Sequence, residues 1–212
     1  MAESLALVIG DKRFSSWSLR PWLLLKEFGI AFREERITLR QADTGAQIAR
    51  HGLGLTVPIL KDGEVVVWDS LAIAEYVAER FPDKAIWPRD AGARAFARSL
   101  CAEMHSSFQA LRTECPMNIL ARVVPFDPVM GVKRDVARIE LLWATARERY
   151  GQSGKFLFGE FGTADSFYAP VVTRFRTYGI KLSAGAQAYC DAVFALEGMR
   201  EWERGACQEM NG

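Results

Sequence analysis

A group of hydroxyl residues lies where a predicted strand meets a predicted helix, near the start of this 212-residue chain. Residues 5–9 read Leu-Ala-Leu-Val-Ile, an apolar run typical of a buried strand. Residues 14–22 read Phe-Ser-Ser-Trp-Ser-Leu-Arg-Pro-Trp and lead into a helix predicted at about 17–28, before Gly29. Such a junction presents unpaired backbone N–H groups and the positive end of a helix dipole. It therefore predicts an anion-binding site.

Pro21 bears on which serine caps this first helix. If Ser18 is the cap, Pro21 lies in the first turn, where its missing N–H is harmless. If Ser16 is the cap, Pro21 lies one turn further in and destabilises the helix more. We therefore interpret Ser18 as the cap.

Composition bounds the class of protein. Half of the residues are hydrophobic, which allows a substantial core in one large or two small domains. A net charge of +1 gives no electrostatic case for nucleic acid or an anionic membrane as partner. The four cysteines form no Cys-x-x-Cys pair and there are two histidines, so we expect reduced thiols and no metal site. Without a signal-like segment or a membrane-length apolar run, we expect a soluble, cytoplasmic protein.

The first third of the chain mixes strand and helix patterns. Asp62-Gly63 between two apolar runs predicts a β-hairpin, and Asp69-Ser70 predicts a helix cap. Further elements are expected as strands at 33–39, 57–60 and 65–68, a short helix at 46–50 and a helix at 71–80. The predicted order is β-α-β-(α)-β-β-α.

The remainder of the chain reads as helical. Pro82 and Pro88 predict a linker at 82–90 between a domain at 1–81 and a helical domain at 91–212. The helices are predicted at 91–113, 132–150, 163–178, 186–194 and 198–207, with a loop at 151–162 between the second and the third. Asp165 fits the capping-box position of the 163–178 helix, so we expect it to serve folding rather than chemistry.

Three motifs in this order resemble the cytosolic glutathione transferases. The motifs are residues 15–20 (Ser-Ser-Trp-Ser-Leu-Arg), Val57-Pro58 and residues 69–76 (Asp-Ser-Leu-Ala-Ile-Ala-Glu-Tyr). They are similar to the serine-type classes and closest to the zeta class, which includes maleylacetoacetate isomerases. The resemblance spans nearly the whole chain. It implies an α/β thioredoxin-like N-terminal domain that binds glutathione, an all-α C-terminal domain, and a homodimer.

The chain departs from the pattern of these relatives at several positions. Trp17 stands where the zeta pattern has cysteine. Asp69 stands where many relatives carry Glu or Gln, and Leu55-Thr56 where a Lys or Gln often precedes Val-Pro.

The resemblance and the chemistry together assign Ser15 as the catalytic residue. A thiol such as that of glutathione, the expected co-substrate, has a pKa of about 8.5. Lowering it by about two units needs roughly 2.7 kcal/mol. A hydrogen bond to a charged acceptor supplies about 1.5–3 kcal/mol and a helix N-terminus about 0.3–1 kcal/mol. We expect Ser15 to donate to the sulfur, with Ser16 or its backbone N–H as the second candidate.

The other motifs supply expected contacts for the rest of glutathione. The Val57 backbone would pair with the cysteinyl part, exposed by a cis Pro58. Asp69 suits the γ-glutamyl ammonium, and Ser70 with its helix N-terminus suits the γ-glutamyl carboxylate. Thr56 would weakly replace the missing longer side chain.

A second, electrophilic substrate is expected between the domains. The candidate wall residues are Phe14, Trp17, Met104, His105, Phe108, Arg112 and Arg174. Met104 and Phe108 share a helical face, which favours plain core packing. His105, one position off that face, is a polar wall or surface residue rather than a catalytic one. Arg112 and Arg174 would suit an anionic substrate, although a solvated arginine is the simpler interpretation of Arg112.

These features favour a glutathione transferase over three alternatives. A zeta-like maleylacetoacetate isomerase is a narrower version of the same activity. A non-catalytic glutathione-transferase-like binding module stays open because of Asp69 and Thr56. A thiol–disulfide oxidoreductase is set aside because residues 14–18 contain no cysteine.

Overall fold

The computed structural model describes residues 5–210. The first part of this range contains β1 (Leu5–Ile9), α1 (Ser16–Glu27), β2 (Phe32–Arg36), α2 (Thr44–Ala49), β3 (Ile59–Asp62), β4 (Val65–Trp68) and α3 (Ser70–Arg80). The second part contains α4 (Ala91–Ser106), α5 (Gln109–Glu114), α6 (Met130–Tyr150), α7 (Thr163–Tyr178), α8 (Ala184–Phe194) and α9 (Glu197–Gln208). The predicted order of the first seven elements is confirmed. Residues 81–90, where the linker is predicted, form turns and bends without helix or strand.

The four strands form one sheet in the order β2-β1-β3-β4. Strand β1 pairs in parallel with β2 and antiparallel with β3, and β3 pairs antiparallel with β4 across the predicted hairpin. Val8 lies opposite Ile59, which in turn lies opposite Trp68. The end of β1, the start of β3 and the end of β4 therefore meet at one edge of the sheet.

The main hydrophobic core joins the sheet and α1 to the helices of the second part. Helix α7 is its central element, because every position from Thr163 to Tyr178 except Arg176 is buried. A smaller apolar cluster, with Val8, Val57 and Ile59 among its members, fills the other side of the sheet. Within residues 5–210, no helix is both long enough and apolar enough to cross a membrane.

The predicted helix at 91–113 is wrong, since the structure breaks it in two. Helix α4 ends at Ser106, the next residue is extended, and Phe108 adopts a left-handed conformation with φ of 63°. Tertiary contacts replace the helical hydrogen bonds at this break. The Arg112 guanidinium donates to the carbonyls of Met104 and His105 at the end of α4. The Leu111 N–H donates to the Asp135 carboxylate of α6 at 2.9 Å.

The start of α7 forms as predicted. One oxygen of Asp165 accepts the Gly162 N–H at 2.9 Å and the other accepts the Leu157 N–H at 3.1 Å. Asp165 is fully buried, and this burial raises the pKa of its carboxyl to about 6, against the lowering effect of the two N–H donors. Helix α7 ends at Gly179, which has φ of 58°, a left-handed conformation that glycine adopts without strain.

Candidate active site

Two helix starts converge at the sheet edge described above. Helix α1 begins shortly after β1, and α3 begins directly after β4. The Arg20 guanidinium of α1 donates to the Ser70 hydroxyl of α3, with 3.3 Å between Nη1 and Oγ. This contact joins α1, which has Ser15 at its N-cap, to the start of α3.

The serines at the start of α1 are arranged differently from the prediction. Helix α1 begins at Ser16, so Ser18 lies inside the helix and is not its cap. The helix starts earlier because the Ser15 N–H donates to the Asp11 carbonyl and the Ser15 carbonyl accepts from Leu19. The Ser18 hydroxyl accepts the Gly10 N–H at 3.1 Å instead of capping. Pro21 consequently lies within the helix rather than in its first turn.

The Ser15 hydroxyl belongs to a short chain of hydrogen bonds. Ser15 occupies the N-cap position of α1, but its side chain makes no capping bond. Its Oγ lies 2.7 Å from the Oγ of Ser18, and either hydroxyl can donate in such a pair. Ser16 is also buried, and its N–H already donates to the Phe14 carbonyl at 3.0 Å.

At the start of α3, Asp69 is the cap, as predicted. Its Oδ1 accepts the N–H groups of Leu71 and Ala72 at 2.8 and 3.4 Å. Asp69 has φ of 75°, a backbone conformation that non-glycine residues adopt at a cost of about 1–3 kcal/mol and that clusters at functional sites. Ser70, the first residue of the helix, is fully buried.

The Val57-Pro58 peptide bond is cis, as expected. Val57 precedes the first paired residue of β3, which is Ile59, and its side chain packs in the smaller apolar cluster. Thr56 is exposed.

Arg20 is a buried charge with few partners. Its guanidinium lies over the ring of Trp17 at 4.0 Å and over that of Phe167 at 4.9 Å. Within the described residues, Nε and Nη2 have no hydrogen-bond partner. Burial foremost, together with the nearby Arg112 and Arg174, lowers the pKa of Arg20 to about 9. Arg20 is part of a sequence motif, but the prediction assigns it no role. A charged residue inside an apolar run is a signal that could have identified it as a site residue.

His105 joins the two parts of the chain at this site. Its Nε2 lies 3.2 Å from Oδ2 of Asp69. The edge of one ring meets the face of the other between His105 and Trp17, with ring centroids 4.9 Å apart and planes at 82°. The Arg112 guanidinium lies 5.1 Å from the same Trp17 ring. Trp17, His105 and Arg112 are thus brought together beside Asp69.

The other predicted wall residues have different surroundings. Met104 and Phe108 are buried in the main core. Arg174 is buried and donates to the carbonyls of Cys115 and Pro170 at 2.9 and 3.0 Å.

Phe14 lies apart from this buried set. It is only partly buried and lies between the guanidiniums of Arg13 and Arg40, at 4.8 and 5.1 Å.

A solved structure resembles this fold over almost its whole length. The chain superposes on a glutathione transferase homolog from Burkholderia, solved with bound glutathione, with a TM-score of 0.72 and 20% sequence identity. The superposition covers 97% of this chain and 99% of that one. A likeness at this identity shows the fold, and the chain has the glutathione transferase fold.

Sequence comparison adds the family of the first part. Residues 14–80 match the family described as "Glutathione S-transferase, N-terminal domain", and this range contains Ser15, Val57-Pro58 and Asp69-Ser70. The chain is 28% identical over 177 residues to "Glutathione S-transferase 1" of Dianthus caryophyllus, covering 79% of this chain and 76% of the relative. It is 33% identical over 126 residues to "Glutathione S-transferase zeta class" of Euphorbia esula, covering 57% of this chain and 55% of the relative. The family match thus concerns residues 14–80, and both relatives carry a glutathione S-transferase name.

Proposed function

We propose that this chain is a glutathione transferase in which the Ser15 hydroxyl stabilises glutathione as a thiolate for attack on a small electrophile. The observation that carries the proposal is the Ser15–Ser18 pair at the start of α1, with 2.7 Å between the two hydroxyl oxygens. The Gly10 N–H already donates to Ser18. With Ser18 donating to Ser15, the Ser15 proton is free to point at a sulfur atom.

This chain of donors suits a developing negative charge. Each hydrogen bond polarises the next, so a backbone N–H behind two hydroxyls strengthens the last donor. Lowering a thiol pKa from about 8.5 by about two units needs roughly 2.7 kcal/mol. One hydrogen bond to the thiolate and the α1 dipole together supply about 2–4 kcal/mol, which is sufficient without a general base.

The neighbouring groups suit the rest of glutathione. Arg20 donates to the Ser70 oxygen, which leaves the Ser70 proton for the γ-glutamyl carboxylate. The Asp69 side chain is 42% exposed and suits the γ-glutamyl ammonium. We assign the cysteinyl contact to the Val57 backbone, with Ser16 and Thr56 as further glutathione contacts.

The electrophile would enter beside Trp17, where His105 and Arg112 lie. Arg112 and Arg174 both donate to backbone carbonyls, so we propose aromatic and polar contacts rather than a salt bridge as the basis of electrophile binding. A cytoplasmic homodimer completes the proposal.

Thiol ionisation tests the role of Ser15 directly. The ultraviolet absorbance of bound glutathione, titrated with pH, reports the pKa of its thiol. We expect Ser15→Ala to return this pKa toward about 8.5 and to lower turnover about 100-fold, the loss typical of removing one donor to a developing anion. Ser16→Ala is the matched control and should leave the thiol ionised. Unchanged ionisation in Ser15→Ala would overturn the assignment.

A zeta-like maleylacetoacetate isomerase is the second candidate, supported by the similarity to the zeta-class relative. It would use the same thiolate, which adds to a conjugated double bond, allows rotation and then leaves. Turnover of maleylacetoacetate by the purified protein tests it. Absence of glutathione binding at millimolar concentration would favour the non-catalytic binding module instead.

A further inference from the structure

We propose that His105 is a positioning residue for glutathione: its imidazole, with Nε2 3.2 Å from the Asp69 carboxylate, keeps that carboxylate oriented for the γ-glutamyl ammonium. This inference rests on the proposed function, because it assigns Asp69 to the ammonium.

Asp69 is held from two directions. Its Oδ1 accepts two N–H groups at the start of α3, and its Oδ2 contacts Nε2 of His105 at 3.2 Å. These contacts engage both carboxylate oxygens and so favour one orientation of the side chain. The 42% of the side chain that stays exposed remains open to a ligand. Asp has a short side chain, so its orientation decides whether the carboxylate reaches the ammonium.

His105 is itself fixed by its surroundings. Its ring meets the Trp17 ring at 82° and 4.9 Å between centroids. Its carbonyl accepts from Arg112 at 3.3 Å, where α4 ends. His105 thus has a ring contact with Trp17 and a backbone contact with Arg112 at the end of α4.

The neutral imidazole with its proton on Nε2 fits this position. Nδ1 is buried and has no partner within the described residues, so a proton there would lack an acceptor. The charged groups that face the ring are Asp69 on α3, Arg20 on α1 and Arg112 on α5. Burial foremost lowers the pKa of His105, Asp69 raises it, and the two arginines lower it again.

The protonation state decides what Asp69 can bind. A neutral imidazole carries no charge that would oppose the attraction between the carboxylate and an ammonium. An imidazolium would offset the charge of the carboxylate and weaken the attraction. Glutathione affinity should therefore fall as the pH drops below the ordinary histidine range.

Three substitutions at this position separate these effects. The variants are His105→Leu, His105→Gln and His105→Lys. Calorimetry gives their dissociation constants for glutathione, and steady-state kinetics give their kcat and their KM for glutathione. We expect His105→Leu to raise the dissociation constant and KM about tenfold while kcat changes less than about twofold. His105→Gln keeps a neutral donor and should stay within about threefold of the natural protein, without its loss of affinity at acid pH. His105→Lys places a permanent cation beside Asp69 and should weaken binding more than His105→Leu.

The other histidine of the chain provides a matched control. His51 also contacts a carboxylate, with 3.3 Å between Nδ1 and Glu35, so His51→Leu should change glutathione affinity less than about twofold. A glutathione analogue that lacks the α-ammonium should bind equally to the natural protein and to His105→Leu. The role of His105 would be overturned if the two proteins bound glutathione equally. It would also be overturned if His105→Leu weakened binding of the analogue as much as binding of glutathione. No binding of glutathione by the natural protein would instead overturn the proposed function.

Discussion

The starts of α7 and α1 differ in the hydrogen bonds that their polar side chains make. At α7, the fully buried Asp165 accepts two backbone N–H groups, so the helix start is closed by the chain itself. At α1, the side chain of the N-cap Ser15 makes no capping bond, and among residues 5–210 its hydroxyl bonds to the hydroxyl of Ser18. The α1 start thus keeps hydrogen-bonding capacity that the α7 start has used.

Whether the hydrogen-bonding groups are satisfied within the chain distinguishes a helix start that serves folding from one that serves binding. A folding site satisfies its donors internally, which stabilises the native state. A binding site leaves a donor and a helix dipole for a ligand. The α3 start combines both, because Asp69 caps the helix and still exposes 42% of its side chain.

Asp165→Ala should give the largest change in stability. It removes the acceptor for two N–H groups at a buried position, so we expect a loss of about 3 kcal/mol in the free energy of unfolding. Urea denaturation measures it. Glutathione affinity per folded molecule should not change in Asp165→Ala. Ser15→Ala should instead keep its stability and change its interaction with glutathione. A variant as stable as the natural protein would contradict the division between the two helix starts.

Arg20→Met should separate stability from binding within α1. A buried cation without an ion-pair partner is destabilising, and an apolar side chain of similar length removes that penalty, so we expect an unchanged or higher Tm. Because Ser70 loses its donor, glutathione affinity should fall about tenfold. Calorimetry and thermal unfolding on the same samples measure both. A lower Tm with unchanged affinity would make Arg20 a packing residue.

The pH dependence of stability should identify Asp165 as well. Burial raises the pKa of its carboxyl from 3.8 to about 6 in the folded protein. Between these values the folded state binds more protons than the unfolded state, so stability falls as the pH rises from about 4 to about 6. Asp165→Asn removes this proton-binding site. The difference in unfolding free energy between the two proteins should change across that window and be flat above it.

Ser18→Ala should give the smallest effect of the series. Ser15 loses its hydroxyl partner but keeps its own proton, so we expect turnover to fall about threefold and the thiol pKa to rise slightly. The Gly10 N–H also loses its acceptor, which should cost about 1 kcal/mol of stability. Steady-state kinetics and urea denaturation check these values. A loss as large as that of Ser15→Ala would mean that Ser18, rather than Ser15, faces the sulfur.

Local patterns predicted most of the fold because their physical causes are local. The Asp62-Gly63 turn, the caps at Asp69 and Asp165, and the stop at Gly179 depend on neighbours within a few residues in sequence. The same holds for the buried strand β1, whose apolar run is sufficient to place it inside.

Contacts between distant residues explain the failures. The apolar spacing across 91–113 continues through Ser107, but Arg112 and Asp135 take over the hydrogen bonds that a continuous helix would make. Ser18 lies inside α1, and its hydroxyl accepts from Gly10, eight residues earlier, instead of capping the helix. Neither partner can be read from helical periodicity.

The sequence alone predicts the order of the first seven elements, the hydroxyl-bearing junction before α1, and the cap of α3. These depend on side chains acting on their own backbone. Only the tertiary structure decided how the junction is used: it placed Arg20 against Ser70 and His105 against Asp69, 50 and 36 residues apart in the chain. Pairing across such separations depends on the sheet register and the break after α4, which arise when the whole chain packs.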